Sequence, residues 1–145
     1  MTENNGLFDA KLQELSAAYA DLQKHIAALE SADPEKVHKA HRDLENEWAD
    51  TVVDLKARAQ AMRYFTAQQL SSVQLEYCRK AQDILNESMK RSWANLAGDS
   101  ESDNMALYAE YAIDFATLAM RHALLAAAAA LDVQNDEQQE ETSLL

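Results

Sequence analysis

The scarcity of residues that interrupt helices is the feature that most constrains the fold. The 145 residues include only two glycines, Gly6 and Gly98, and one proline, Pro34, whereas average usage would supply roughly ten and seven. Alanine, the strongest helix former, supplies 27 residues, and Val, Ile and Thr together supply 13. A chain this poor in turn formers cannot build hairpins, β-sandwiches or glycine-rich phosphate-binding loops. We therefore expect an all-α protein, and the length fits one domain.

The first helix is predicted at about residues 7–32 and has coiled-coil character. Its apolar positions alternate steps of four and three without a miss, which is a heptad seam. The members are Phe8, Leu12, Leu15, Tyr19, Leu22, Ile26 and Leu29. Asp33 can cap the next helix, and Pro34 suits its first turn, where no backbone donor is needed.

The rest of the chain is predicted to contain two further long helices, or three of similar length. After Pro34 no glycine or proline appears before Gly98, so residues 34–97 form one helix unless it breaks near 61–66. Gly98 suits a helix C-terminus, and a last helix is expected at 104–132. We expect an elongated antiparallel bundle in a single domain, residues 1–132, and a disordered acidic tail at 133–145.

The charge distribution limits the partners. The net charge is -12, which repels nucleic acid and anionic lipid surfaces. A basic stretch at 56–91 lies between acidic flanks at 1–55 and 92–145. Two interpretations remain open: helices from the flanks lie beside the basic stretch and neutralise it, or the stretch forms an electropositive face for an acidic partner.

Targeting signals are not evident in the sequence. We find no run of 18 apolar residues, and the first ten residues resemble no signal peptide. Cys78 is the only cysteine, which excludes an intrachain disulfide and fits a packing role. We expect a cytoplasmic protein without a transmembrane segment.

Two patterns could bind metal. Glu35 and His38 form one Glu-x-x-His pair, and His41 follows one turn later, but a di-iron bundle needs a second pair. A metal-binding helical bundle is therefore kept only as an alternative, and we predict no metal ligands.

The second pattern involves calcium-type ligands. Asp99, Glu101, Asp103 and Glu110 have the offsets of positions 1, 3, 5 and 12 in an EF-hand loop. Asn104 replaces the glycine that makes the sharp turn of that loop. A capped loop with solvated acids explains the same residues, so calcium binding is left open.

Catalytic motifs are not found. The chain has no Gly-x-Ser-x-Gly elbow, no phosphate-binding loop and no recognisable Ser, His and Asp arrangement. We therefore predict a protein that is not an enzyme and binds no cofactor.

The aromatic residues are candidates for the core or for an interface. Long amphipathic helices have too little thickness for one compact interior, so part of their apolar surface needs a partner. Aromatic side chains dominate interface energetics. The candidate interface residues are Trp48, Trp93, Tyr108, Tyr111 and Phe115.

About residues 57–130 resemble phasins in texture. The stretch begins ARAQAMRYFTAQQLSSVQLEYCRKAQDIL and, after a Trp93-x-x-Leu96-x-Gly98 ending, continues ALYAEYAIDFATLAMRHALLAAAAAL. Phasins have such Ala/Gln-rich helices. The resemblance implies amphipathic helices that coat intracellular polyester granules, often as oligomers, and it carries over no functional residue.

The sequence favours a non-catalytic helical binding or scaffolding protein. We expect it to self-associate, as a homodimer, and to present amphipathic helices to a protein partner, as adaptors and chaperones do. A phasin-like coat on an apolar granule surface is one alternative, and a metal-binding helical bundle is another.

Overall fold

The described residues of this protein are all helix and connections. The computed structural model describes residues 6–90, 95–96, 98 and 100–144. Within these residues the chain has four helices and no strand, which confirms the predicted all-α class. The helices are α1 (Asp9–Glu30), α2 (Pro34–Ala61), α3 (Phe65–Ser88) and α4 (Glu101–Leu144).

The connection between α1 and α2 follows the local chemistry of the sequence. Asp33 is in the N-cap position with extended backbone, φ -64° and ψ 150°, and Pro34 begins α2. The fixed φ of proline suits the first helical turn. The Asp33 carboxylate makes no capping hydrogen bond, so the backbone conformation and the proline define this helix start.

The chain breaks between α2 and α3, inside the predicted 61–66 segment. Met62 follows α2 in an extended conformation, φ -68° and ψ 132°. The Gln68 side chain donates from Nε2 to the Met62 carbonyl oxygen at 2.8 Å, and the Gln68 backbone N–H donates to the Tyr64 carbonyl oxygen at 3.0 Å. The first bond satisfies a carbonyl that the interruption leaves without a backbone donor, and the second is the first backbone hydrogen bond of α3. The structure therefore adopts the four-helix alternative.

The last helix is longer than the sequence predicts. It begins at Glu101 and runs to Leu144, so residues 133–144 are helical where a disordered tail is expected. This segment contains no glycine or proline and is rich in Gln and Glu, which are good helix formers. An acidic composition favours disorder in an isolated segment. This segment instead extends a helix that has already formed, and extending a helix is much less costly than nucleating one.

Contacts group the chain into two compact units. The first unit is Met1–Ala81 and the second is Gln82–Leu145, with the boundary inside α3. Hydrophobic periodicity identifies helices but not their grouping, because grouping depends on contacts between residues that are distant in sequence. In the first unit Cys78 is buried, and in the second Ser88 and Asn104 are buried.

Candidate functional site

The described residues bury few apolar side chains. Cys78 is the one hydrophobic side chain among them that is buried, and more than twenty large apolar side chains are exposed. These exposed side chains lie on defined helix faces.

The heptad seam of α1 is open to solvent. Five of its members are between 37% and 58% exposed: Leu12, Leu15, Tyr19, Leu22 and Ile26. Phe8 and Leu29, at the two ends of the seam, are half-buried. The Tyr19 hydroxyl accepts a hydrogen bond from Gln23 Nε2 at 2.9 Å, so its polar end is satisfied. The heptad seam of α1 is therefore a continuous exposed apolar stripe, and its one hydroxyl group already has a hydrogen-bond partner.

The inner face of α2 carries the first candidate interface residue. Trp48, Val52 and Leu55 are half-buried and lie one turn apart along one side of the helix. The Trp48 indole Nε1 is buried and has no hydrogen-bond partner. An unpaired buried donor costs roughly 1–3 kcal/mol. Trp48 thus belongs partly to the interior of the first unit, at some energetic cost.

Helix α3 has one inward and one outward apolar side. Leu75, Cys78 and Leu85 are buried or half-buried. The opposite set is exposed over more than 40% of each side chain and comprises Leu70, Val73, Tyr77 and Ile84. Both sets have helical spacing, so periodicity alone does not distinguish the inward side from the exposed side.

Cys78 has the character of a packing residue. Its side chain is 6% exposed, and desolvation by burial raises the pKa of its thiol above the ordinary value of 9.0. A raised thiol pKa disfavours the thiolate, which is the nucleophilic and metal-binding form. This environment supports the packing role that the sequence predicts.

A buried polar contact in the second unit was missed by the sequence analysis. The Asn104 side chain donates from Nδ2 to the Ser88 carbonyl oxygen at 2.9 Å, and both residues are buried. The Ser100 hydroxyl accepts from the Asp103 backbone N–H at 3.1 Å, which caps α4. The contact joins the end of α3 to the start of α4. The sequence offers one signal for this contact: Asn104 lies four positions before Tyr108, on the same face of α4.

Helix α4 is apolar on two nearly opposite faces. Tyr111 and Phe115 are 59% and 52% exposed, and Leu118 and Leu125 on the same side are also exposed. Positions two residues away point about 200° round the helix. That second side carries Ile113, Met120, Leu124 and Leu131, all exposed.

The same helix passes a simple test for membrane spans. By length and composition alone it is long enough and apolar enough to cross a membrane, and none of its apolar window is buried. Asp114, Arg121 and His122 interrupt this apolar region.

The structure distributes the candidate interface residues over two units. Trp48 lies in the first unit, whereas Tyr108, Tyr111 and Phe115 share one face of α4 in the second. Tyr108 is half-buried. Trp93 lies outside the described residues.

The candidate metal ligands do not converge in the part of the chain that the structure describes. No group of three or more His, Cys, Asp or Glu residues there is placed to hold a metal ion. The Nε2 atom of His41 instead lies 3.8 Å from the Oε1 atom of Glu45 on the same helix. Residues 101–110 are helical and thus do not form a calcium-binding loop, and Asp99 is not among the described residues.

Comparison with known proteins yields no relative. No family model matches the chain, and neither a curated protein nor a solved structure matches it. Function is therefore inferred from the surfaces of the chain itself.

Proposed function

We propose that this is a non-catalytic helical scaffolding protein that self-associates and presents an amphipathic helix to a protein partner. The observation that carries the proposal is the exposure of its seams. Among the described residues Cys78 is the only buried hydrophobic side chain, and more than twenty large apolar side chains are exposed. Burial of apolar surface contributes about 25 cal/mol per Å², so covering these faces in an assembly is strongly favoured.

The α1 seam is the surface best suited to a protein partner. Heptad spacing places Leu12, Tyr19 and Ile26 at one set of core positions and Leu15 and Leu22 at the other. A partner helix with its own heptad seam would insert its side chains between them. We therefore propose an amphipathic helix as the ligand, bound in coiled-coil fashion.

Light scattering coupled to size exclusion tests the self-association. The expected mass is that of two chains, and it should fall towards one chain on strong dilution. A single-chain mass at every concentration would refute the scaffolding proposal.

Matched charge variants test the α1 seam. The variant Leu15→Glu with Leu22→Glu places two charges in the seam, whereas Ala17→Glu with Ala20→Glu adds the same charge to other faces of α1. We expect the first variant to lose a partner that wild type and the second variant retain at fixed stoichiometry from host lysate. The same difference should appear with the purified partner. Equal binding by both variants would exclude the seam.

A phasin-like granule coat is the second candidate, and the two apolar faces of α4 favour it. A helix with two exposed apolar faces needs apolar contact on more than one side, and a hydrophobic granule surface provides one such contact. Density-gradient centrifugation of tagged protein in host lysate separates the two candidates. Flotation with granules supports the coat, and co-migration with one soluble protein supports the scaffold.

A further inference from the structure

The exposed face of α4 forms a second heptad seam. We define the α4 seam as Tyr108, Tyr111, Phe115, Leu118, His122, Leu125 and Ala129, which alternate steps of three and four. At its start, the Asn104 contact to Ser88 and the half-buried Tyr108 belong to the interior of the second unit. From Tyr111 onwards the members for which exposure is given are about half exposed or more. The middle of the seam is therefore exposed to solvent.

Two opposite charges lie on one edge of this seam. Asp114 precedes Phe115 and Arg121 precedes His122, so both lie at the same heptad position. Arg121 is the only Lys or Arg in α4, which carries nine acidic residues. On a single helix the two are seven residues, or about 10 Å, apart and cannot form an ion pair. Both side chains are exposed.

A second copy would pair these charges in one orientation only. In an antiparallel pair, edges of the same type face each other. With Phe115 opposite the partner's Leu118, Asp114 lies beside the partner's Arg121, and two-fold symmetry repeats the pair. In a parallel pair this edge faces the partner's other edge, which carries Ala112, Ala119 and Ala126. No ion pair forms there.

The acidic end of α4 also favours the antiparallel orientation. Five acids lie near this end: Asp132, Asp136, Glu137, Glu140 and Glu141. A parallel pair would set them beside the same five acids of the partner. An antiparallel pair centred between residues 116 and 117 separates the two clusters by about 60 Å, well beyond the Debye length of about 8 Å at physiological salt.

We propose that two copies of this chain associate antiparallel along the α4 seam, held by reciprocal Asp114 to Arg121 ion pairs. This inference rests on the proposed self-association and names its surface. Covering the exposed parts of Tyr111, Phe115 and Leu118 in both copies, with Leu125 against the half-buried Tyr108 of the partner subunit, would bury roughly 800–1,000 Å² in total, at the low end for a specific interface. The α1 seam then stays free for a protein partner.

Charge exchange across the interface tests this pairing. Asp114→Arg and Arg121→Asp each turn two attractive pairs into two repulsive ones, so each variant alone should dimerise at least roughly tenfold more weakly. Mixed together, the two variants again have opposite charges at both contacts. The mixture should recover to within about threefold of wild type in sedimentation equilibrium. The double variant in one chain should recover similarly.

Glu110→Arg is the matched control, because it makes the same charge change on the other face of α4 and should leave dimerisation within about twofold of wild type. Circular dichroism should show equal helix content in all variants. A wild-type dimer without recovery in the mixture would overturn the antiparallel seam but leave self-association intact. A wild-type monomer would overturn both, and a monomer that floats with granules would identify an apolar surface as the occupant of this face.

Discussion

At the scale of single residues, Asn104 has an effect that its polarity alone would not suggest. Its side chain reaches the Ser88 carbonyl oxygen, sixteen residues earlier, in a buried position. The end of a helix leaves carbonyl oxygens without intrahelical partners. A buried amide that satisfies one of them fixes where α4 begins relative to the end of α3.

The first prediction concerns this amide. Asn104→Ala should lower the free energy of unfolding by about 1–2 kcal/mol, because the buried Ser88 carbonyl loses its donor. Urea unfolding followed by circular dichroism measures the change. Asn135→Ala, at an exposed site on the same helix, serves as the control and should change stability by less than about 0.5 kcal/mol. Equal effects of the two variants would contradict the role of the contact.

The second prediction concerns the Cys78 thiol. Because burial raises its folded pKa above 9.0, the unfolded chain loses this proton first as pH rises. The stabilising contribution is therefore fully present below about pH 9 and is lost as pH rises through the folded pKa. The difference in unfolding free energy between wild type and Cys78→Ala should be constant near neutral pH and shrink in alkaline solution. A difference that stays constant up to high pH would show that the thiol is not desolvated.

At the scale of helices, the interruption between α2 and α3 shows how a break arises without glycine or proline. The extended Met62 ends one helix, and the Gln68 side chain returns to its carbonyl. This bond compensates for a lost backbone hydrogen bond. The sequence locates the segment as the only plausible break, but it does not decide whether the break forms.

The third prediction tests this break with proline. Phe65 is the first residue of α3 and is 73% exposed, so Phe65→Pro should cost less than about 1 kcal/mol. Ser72→Pro, in the exposed middle of the same helix, should cost about 3 kcal/mol or more. Thermal unfolding of the two variants compares them directly. A large loss for Phe65→Pro would indicate a continuous helix through this position.

At the scale of the whole molecule, exposed apolar area is the dominant property. Helices α1, α3 and α4 each carry exposed apolar side chains, and Cys78 is the one buried hydrophobic side chain in the part of the chain that the structure describes. Stability of the chain should therefore depend on what covers these faces.

The fourth prediction follows from that dependence. A ligand that binds only the folded form stabilises it by mass action, and here the ligand is a second copy. The midpoint of thermal unfolding should rise by about 2–4 °C for each tenfold increase in protein concentration. Differential scanning calorimetry over a dilution series measures it. A midpoint independent of concentration would mean that a folded monomer needs no partner.

The all-α class and the start of α2 at Pro34 follow from the sequence alone, and glycine at position 98 permits the left-handed φ of +75° found there. These features are local, because propensity, proline geometry and glycine freedom act within a few residues. The tertiary structure decided which side of α3 faces inward, since the Leu75 and Val73 sides have the same spacing. It also decided that Asn104 meets Ser88 and that the chain divides at Ala81. Those outcomes depend on contacts between residues far apart in sequence, and helical periodicity alone cannot rank the competing contacts.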